Sequence, residues 1–163
     1  MKGIYLLLGT NLGDRLQNLR KAMELLSQKN VLTIEESSIY ETEPWGKPNQ
    51  PWFLNILIEV MTNLTPTELL KGCLEVEKEI GRVREERWKE RIIDIDIIYY
   101  NNEVISTADL NLPHPEIPNR KFTLIPLVEL NPFDIHPILK KSSTELLAAT
   151  SDQLDCRLTD FKL

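Results

Sequence analysis

Residues 81 to 97 read G-R-V-R-E-E-R-W-K-E-R-I-I-D-I-D-I, a charged segment that runs directly into an apolar one. The apolar half is typical of a β-strand, in which successive side chains point to opposite faces of the sheet. Asp94 and Asp96 therefore share one face, whereas Ile95 and the isoleucines two positions away from it point into a core on the other. The sequence thus predicts a sheet with two carboxylates on one wall.

These two carboxylates repel each other, because two residues along a strand separate them by roughly 6 to 7 Å. At an effective dielectric constant of about 20 the repulsion is about 2 to 3 kcal/mol. A divalent cation such as Mg²⁺ offsets it by binding one or two carboxylates together with water and phosphate oxygens. Internal salt bridges from Asp94 and Asp96 to Arg82, Arg84 or Arg91 also offset it, and the strand alone does not decide between the two arrangements.

The composition is that of a single globular domain spanning residues 1–163, with 42% apolar and 27% charged residues. A net charge of −6 argues against a broad surface for nucleic acid or membrane, so the basic cluster at 82–91 suggests a local anionic ligand. Cys73 and Cys156 are too few for a disulfide framework. We therefore expect a cytoplasmic protein, and no targeting segment is evident.

Apolar periodicity and turn residues give the order of the secondary structure. The predicted elements are a strand over 4–8, a helix capped by Asp14, strands over 31–40 and 52–61, a helix from the capping box at Thr65 to Ile80, and the Asp-bearing strand. This β-α-β-β-α-β order is that of the ferredoxin-like fold, an α+β class with an antiparallel sheet and helices on one face.

The remainder of the chain predicts additions to this core. Asn101-Asn102 forms a turn into an extended segment at 103–105, which predicts a small hairpin. Helices are expected over 121–130 and 145–149, and the tail from Thr150 carries no clear signal. The glycine-rich turn at 9–14 matches neither of the common phosphate-binding loops, so any use of ATP must rely on other groups.

Two proline-rich loops, 41–51 and 112–122, flank candidate binding residues. Phe53 and Asn55 share a strand face, and an aromatic ring beside an amide suits a flat heteroaromatic ligand. The alternative is that Phe53 is a core residue and Asn55 satisfies a strand end. His114 lies beside prolines, where a lone histidine is more often structural or solvated than functional.

Four motifs in order carry a resemblance to a known family: G-T-N-L-G-D, T-E-P-W-G with Q-P-W-F-L-N, G-R-V-R with R-W-K-E-R-I-I-D-I-D-I, and L-P-H-P with N-R-K-F. They resemble the 6-hydroxymethyl-7,8-dihydropterin pyrophosphokinases of folate biosynthesis, over nearly the whole chain to about residue 137. The resemblance implies a ferredoxin-like fold and transfer of the terminal diphosphate of ATP to the pterin hydroxymethyl group, with release of AMP. It also implies two Mg²⁺ ions.

The resemblance further implies a role for each matching residue. The catalytic set is Arg82, Arg91, Asp94 and Asp96, of which Asp94 and Asp96 are the metal ligands. The ATP-binding set is Glu77, Arg84, Trp88, Ile97, His114 and Arg120. The pterin-binding set is Thr42, Pro44, Trp45, Phe53, Asn55 and Phe122, with Phe53 and Phe122 as the two rings that sandwich the bicyclic ring. A monomer that acts on small molecules, without nucleic acid or membrane, is expected.

Some positions depart from the family's pattern. Lys89-Glu90 follows the loop tryptophan where Gly-Pro is usual, and Trp45 stands where a smaller apolar residue is usual. Phe53 lacks a tyrosine hydroxyl, and Pro115 replaces an aromatic residue. These differences bear on loop closure and pterin affinity rather than on the reaction class.

Two other classes of protein are compatible with parts of the pattern. A metal-dependent nuclease or nucleotidyltransferase also uses paired carboxylates with arginines, but it should show an extended basic track. A ferredoxin-like RNA-binding module needs an aromatic, glycine-rich strand, which neither residues 4–8 nor residues 52–61 provide.

Overall fold

The computed structural model describes residues 3–46, 49–82 and 90–163. The elements up to the Asp-bearing strand are β1 (Ile4–Thr10), α1 (Arg15–Gln28), β2 (Leu32–Glu36), β3 (Tyr40–Thr42), β4 (Phe53–Met61), α2 (Pro66–Ile80) and β5 (Asp94–Tyr100). The later elements are β6 (Ile105–Ser106), β7 (Asn111–Leu112), a 3-10 helix (Ile117–Asn119), α3 (Lys121–Leu130), α4 (Ser143–Ala149) and β8 (Cys156–Leu158).

The main sheet has the strand order β5-β1-β4-β3-β8, and β2 pairs with β4 alongside β3. All of its pairings are antiparallel. When β2 and β3 are taken as one interrupted strand, β5, β1, β4 and that strand have the order of a ferredoxin-like sheet. The predicted α+β fold is therefore confirmed, with β8 as an additional strand at the edge.

The predicted strand over 31–40 is two strands rather than one. Between β2 and β3, the hydroxyl of Ser37 accepts a hydrogen bond from the Leu57 N–H at 3.0 Å, and the Ser37 N–H donates to the Leu57 carbonyl at 2.9 Å. A side chain thus takes the place of a backbone acceptor, which interrupts the regular ladder. The hairpin expected after Asn101-Asn102 also differs, since β6 pairs with β7.

The start of α1 and both ends of α2 lie where the sequence signals place them. The Asp14 carboxylate accepts a hydrogen bond from the Gln17 N–H at 3.0 Å and caps α1. Thr65 and Glu68 form the capping box of α2. Gly81 ends α2 in the left-handed conformation at φ 107°, which a residue without a side chain adopts at little cost. These ends place Arg82 directly beside β5.

A hydrophobic core lies on each face of the sheet. One core joins alternate residues of β1, such as Leu6 and Leu8, to α1 and α2. The other joins Tyr5 and Leu7 to α3 and α4, so the C-terminal additions cover the face that the two ferredoxin-like helices leave open. Asp96 lies opposite Leu7, on this second face. Within the described ranges, no helix is long and apolar enough to cross a membrane.

Candidate active site

The site begins with a row of residues across three neighbouring strands. Gly9 of β1 lies opposite Asp94 of β5 on one side and opposite Asn55 of β4 on the other. Residues that face each other across strands point to the same side of the sheet. A Cβ at position 9 would lie 2.7 Å from the Asn55 Oδ1, so glycine leaves the space that the amide occupies.

Asp94 is surrounded by arginines. An Arg82 Nη1 lies 2.5 Å from the Asp94 Oδ1 and 2.6 Å from Glu77 Oε1, and Arg91 pairs with the other oxygen of Asp94. Buried Glu77 also accepts the Ile95 N–H at 2.9 Å, which ties α2 to β5. Burial alone would raise the pKa of Asp94, but the charges of Arg91 and Arg82 outweigh it and hold the pKa below its usual range. Asp94 is therefore an anion at neutral pH.

Asp96 has much weaker charge compensation. It forms an ion pair with Arg120, whose Nη1 lies 3.7 Å from Oδ2, and its side chain is 33% exposed. Burial, followed by repulsion from Asp94, raises the pKa of Asp96 to about 7. The wall thus holds one well-paired carboxylate and one that favours additional positive charge.

Arg120 connects the carboxylates to two aromatic rings. Its guanidinium carbon lies 4.9 Å from the centre of the Trp45 ring and 5.6 Å from that of Phe122. Its Nε is buried with no hydrogen-bond partner among the residues that the structure describes. An arginine held by ring faces keeps its forked donors available for an anion.

His114 is held in a turn that uses one of its ring nitrogens. Its ring Nδ1 accepts the Glu116 N–H at 3.2 Å, and its backbone N–H donates to the Ile98 carbonyl at 3.0 Å. Burial, followed by the charge of Arg120, lowers the pKa of His114 to about 4. The imidazole is therefore neutral at physiological pH.

The predicted pterin residues lie next to the carboxylate wall. The Asn55 amide donates to the Thr42 hydroxyl at 2.7 Å, and both side chains are buried. Thr42 lies opposite Phe53 in the β3–β4 ladder, and half-buried Pro44 and Trp45 follow in the loop after β3. Phe122 lies in the first turn of α3. The amide is thus fixed in one orientation beside aromatic side chains.

Most of the residues that the sequence singled out are brought to one region of the sheet. The side chain of Ile97 is the exception, since it packs in the core against α1 and α2 on the opposite face from Asp96. Arg84 and Trp88 lie outside the described residues, as does Lys89.

The sequence reasoning missed Asn11 as a residue of the site. Its Oδ1 accepts the Arg91 N–H at 2.7 Å, and its own N–H donates to the Arg91 carbonyl at 3.1 Å. Its Nδ2 donates to the Pro51 carbonyl at 3.1 Å. The G-T-N-L-G-D motif contains Asn11, but neither its turn residues nor its place in the family resemblance indicates that this side chain pairs with Arg91. Asn11 therefore links Arg91 to the loop before β4 through hydrogen bonds to both.

The donor set suits a cation that shares phosphate ligands rather than one enclosed by protein. Residues 3–46, 49–82 and 90–163 contain no cluster of three or more His, Cys, Asp or Glu side chains able to hold a metal. Two carboxylates are, however, the typical protein contribution to a Mg²⁺ ion that also binds substrate phosphates.

Comparisons with known proteins give the family of this chain. Residues 5–132 match the model of the 7,8-dihydro-6-hydroxymethylpterin-pyrophosphokinase family. The 2-amino-4-hydroxy-6-hydroxymethyldihydropteridine pyrophosphokinase of Aquifex aeolicus is 45% identical over 146 residues, which cover 89% of this chain and 90% of the relative. That of Bacillus subtilis is 42% identical over 155 residues, covering 94% and 88%.

A solved Plasmodium falciparum HPPK-DHPS with pteroate is similar in fold, with a TM-score of 0.70 at 18% identity. The match covers 89% of this chain and 41% of that longer one. Since the family model spans well over half of the sequence and close relatives match along most of their own length, the chain belongs to the 7,8-dihydro-6-hydroxymethylpterin-pyrophosphokinase family.

Proposed function

We propose a division of labour among the site residues for the reaction of this family. The chain is a pyrophosphokinase of folate biosynthesis, which transfers the diphosphate of ATP to the hydroxymethyl group of 6-hydroxymethyl-7,8-dihydropterin and releases AMP. The observation that carries the assignment is the wall of Asp94 and Asp96. Arg82 and Arg91 pair with Asp94, Arg120 lies near Asp96, and the fixed Asn55 amide lies across β1.

Asp94 and Asp96 would hold two Mg²⁺ ions together with the ATP phosphates. The raised pKa of Asp96 supports this, because it marks a carboxylate whose negative charge is poorly compensated. The ion pairs at Asp94 are the salt bridges that the sequence left as an alternative, and they are compatible with a shared site. Bound Mg²⁺ would supply neutralisation of the phosphate charge and a lower pKa for the attacking hydroxyl.

Arg82 and Arg91 act on the phosphates. Both contact Asp94, and in the sequence they stand at the two ends of the basic cluster at 82–91. An arginine fork binds a phosphate as readily as a carboxylate, so these side chains exchange Asp94 for ATP oxygens when the nucleotide binds. Arg120 reaches the same region from the other side, with its orientation set by Trp45 and Phe122.

The pterin binds beside Asn55 and Thr42, with the Phe53 and Phe122 rings against its faces. The hydrogen bond from Asn55 to Thr42 fixes which amide group meets the edge of the pterin. Positioning of the hydroxymethyl oxygen in line with the β-phosphorus, with cationic stabilisation of the phosphoryl oxygens, accounts for catalysis. A dedicated side-chain base is not part of the proposal.

We also expect a monomer that binds these small molecules without nucleic acid or membrane. The net charge of −6 supports this, since the basic cluster at residues 82–91 is local rather than part of an extended basic surface. The cytoplasmic setting stays a prediction from the sequence.

An assay of AMP release tests the proposal. The pure protein is incubated with ATP, the hydroxymethyl-dihydropterin and Mg²⁺, and then with EDTA in place of Mg²⁺. We expect AMP release that depends on the pterin and is lost with EDTA. Release of ADP, or no turnover, would contradict the reaction, whereas full activity in EDTA would contradict the metal site alone.

A further inference from the structure

Helix α3, which carries Phe122, does not cap its own N-terminus. Its N-cap residue is Arg120, and within the described ranges this side chain makes no capping hydrogen bond, since it lies between two rings in the site. The cap comes instead from a residue far along the chain. The Asp152 Oδ2 accepts the Lys121 N–H at 2.8 Å. A carboxylate at this end also interacts favourably with the helix dipole.

Asp152 is itself held in one orientation. Its Oδ1 accepts the Leu154 N–H at 3.0 Å, and its own N–H donates to the Thr150 hydroxyl at 3.3 Å. One carboxylate oxygen thus serves the tail and the other serves α3. This geometry fixes the first turn of α3, and with it Phe122, relative to the C-terminal segment.

The same segment also holds the other side of the pterin region. β8 pairs with β3, so that Cys156 lies opposite Thr42. Beyond this ladder, the Glu43 N–H donates to the Asp155 carbonyl at 3.1 Å, and the Asp155 N–H donates to the Glu43 Oε2 at 2.7 Å. Glu43 directly precedes Pro44 and Trp45, so the segment fixes the start of the loop that carries them.

We propose that the segment Asp152–Leu158 sets the distance between two sides of the pterin site, namely the first turn of α3 with Phe122 and the loop after β3 with Pro44 and Trp45. Asp152 and Glu43 are the positioning residues. Asp152 acts through α3, and Glu43 acts through the loop after β3. This proposal rests on the proposed function. The family model ends at residue 132, so the segment lies beyond the part of the chain that the model matches.

The first test compares Asp152→Ala with Asp152→Asn by steady-state kinetics and by calorimetric titration with the pterin. Loss of one hydrogen bond to a charged group predicts an increase of about fivefold in the pterin KM and Kd for the alanine variant. Its kcat should stay within about twofold of wild type. The asparagine variant keeps one acceptor oxygen, so its increase should be smaller. The KM for ATP should rise as well, because Arg120 directly precedes Lys121.

The second test compares Glu43→Ala with Glu43→Gln. Glutamine keeps the oxygen that accepts the Asp155 N–H, so it should restore the wild-type pterin KM that alanine raises by about fivefold. The KM for ATP should stay within about twofold of wild type in both variants. Arg20→Ala is the matched control, because its guanidinium donates to the Lys162 carbonyl and anchors the tail on α1 instead.

The outcomes separate the proposals. If wild type shows no pterin-dependent AMP release, the proposed function fails. If wild type is active but the folded Asp152→Ala and Glu43→Ala variants keep its pterin KM, the positioning role is wrong. An equal rise for alanine and glutamine at position 43, or for Arg20→Ala, would also overturn it. Should Asp152→Ala fail to fold, the Glu43 pair decides the question by itself.

Discussion

Asp96 is an acid whose ionisation opposes folding. Its pKa is raised to about 7 by burial and by Asp94, against about 3.9 in an unfolded chain. Between these values the folded state binds a proton that the unfolded state does not, so the free energy of unfolding falls as pH rises. Asp96→Asn should therefore stabilise the metal-free protein at pH 8 by about 1 kcal/mol, after allowance for solvent screening. Turnover should be nearly abolished.

Urea unfolding at pH 5 and pH 8, in buffer with EDTA, measures this effect, which should shrink toward pH 5. Asp94→Asn is the matched control, because it leaves Arg82 and Arg91 without their shared partner and should destabilise the fold. An Asp96→Asn variant that is less stable than wild type at pH 8 would contradict the charge imbalance. Wild-type activity of that variant in Mg²⁺ would contradict the metal assignment.

His114 gives the opposite pH dependence. Its pKa is lowered to about 4 by burial and by Arg120. As pH falls below about 6.5, the unfolded state binds a proton that the folded state excludes, so stability is lost. We expect His114→Gln to remove about 1 kcal/mol of the decrease between pH 6.5 and pH 5. Urea midpoints at both pH values measure it, and an unchanged decrease would show that His114 is protonated in the folded state.

At the level of elements, the row across β5, β1 and β4 depends on Gly9. An added methyl group would lie 2.7 Å from Asn55 Oδ1, so Asn55 must move and its bond to Thr42 is strained. Gly9→Ala should cost about 1 to 3 kcal/mol of stability and raise the pterin KM. Thermal unfolding and steady-state kinetics measure the two effects.

Gly72→Ala is the matched control for this substitution. Gly72 lies inside α2, and a Cβ there would meet Lys29 Cδ at an ordinary 3.9 Å. Because alanine favours a helix interior, this variant should gain about 0.5 to 1 kcal/mol and keep wild-type kinetics. A wild-type pterin KM in Gly9→Ala would show that the Asn55 amide tolerates displacement.

Elements with local signals could be predicted from the sequence. The Asp14 cap, the Thr65 capping box and the Gly81 stop each involve groups within a few residues. The start of α1 and both ends of α2 are as these signals indicate. β8 could not be predicted in this way. Its three residues are largely exposed, and it is a strand because it pairs with β3, more than a hundred residues earlier.

The residues of the site also differ in whether a local pattern or a distant partner determines their role. The shared face of Asp94 and Asp96 follows from strand alternation alone. The roles of Asn11 and Asp152 depend on which distant backbone groups the fold brings to them, namely those of Arg91 and Lys121. A single sequence does not encode such pairings as a pattern, because nothing in the local spacing specifies the partner.

At the level of the whole molecule, β1 links the two hydrophobic cores. All seven of its residues are buried, and residues 4–8 alternate between the core under α1 and α2 and the core under α3 and α4. Loss of either core therefore exposes one face of the same central strand. This coupling is the physical basis for expecting residues 1–163 to behave as one domain.

Paired core substitutions test that expectation. Leu19 of α1 and Leu127 of α3 are fully buried on opposite faces of the sheet. Leu19→Ala and Leu127→Ala should each cost about 2 to 5 kcal/mol. Because unfolding is cooperative, the urea midpoint of each variant should fall. Within a variant, tryptophan fluorescence and far-ultraviolet circular dichroism should give the same midpoint. A variant in which the two signals separate would instead show that each face of the sheet unfolds independently, with β1 unable to couple them.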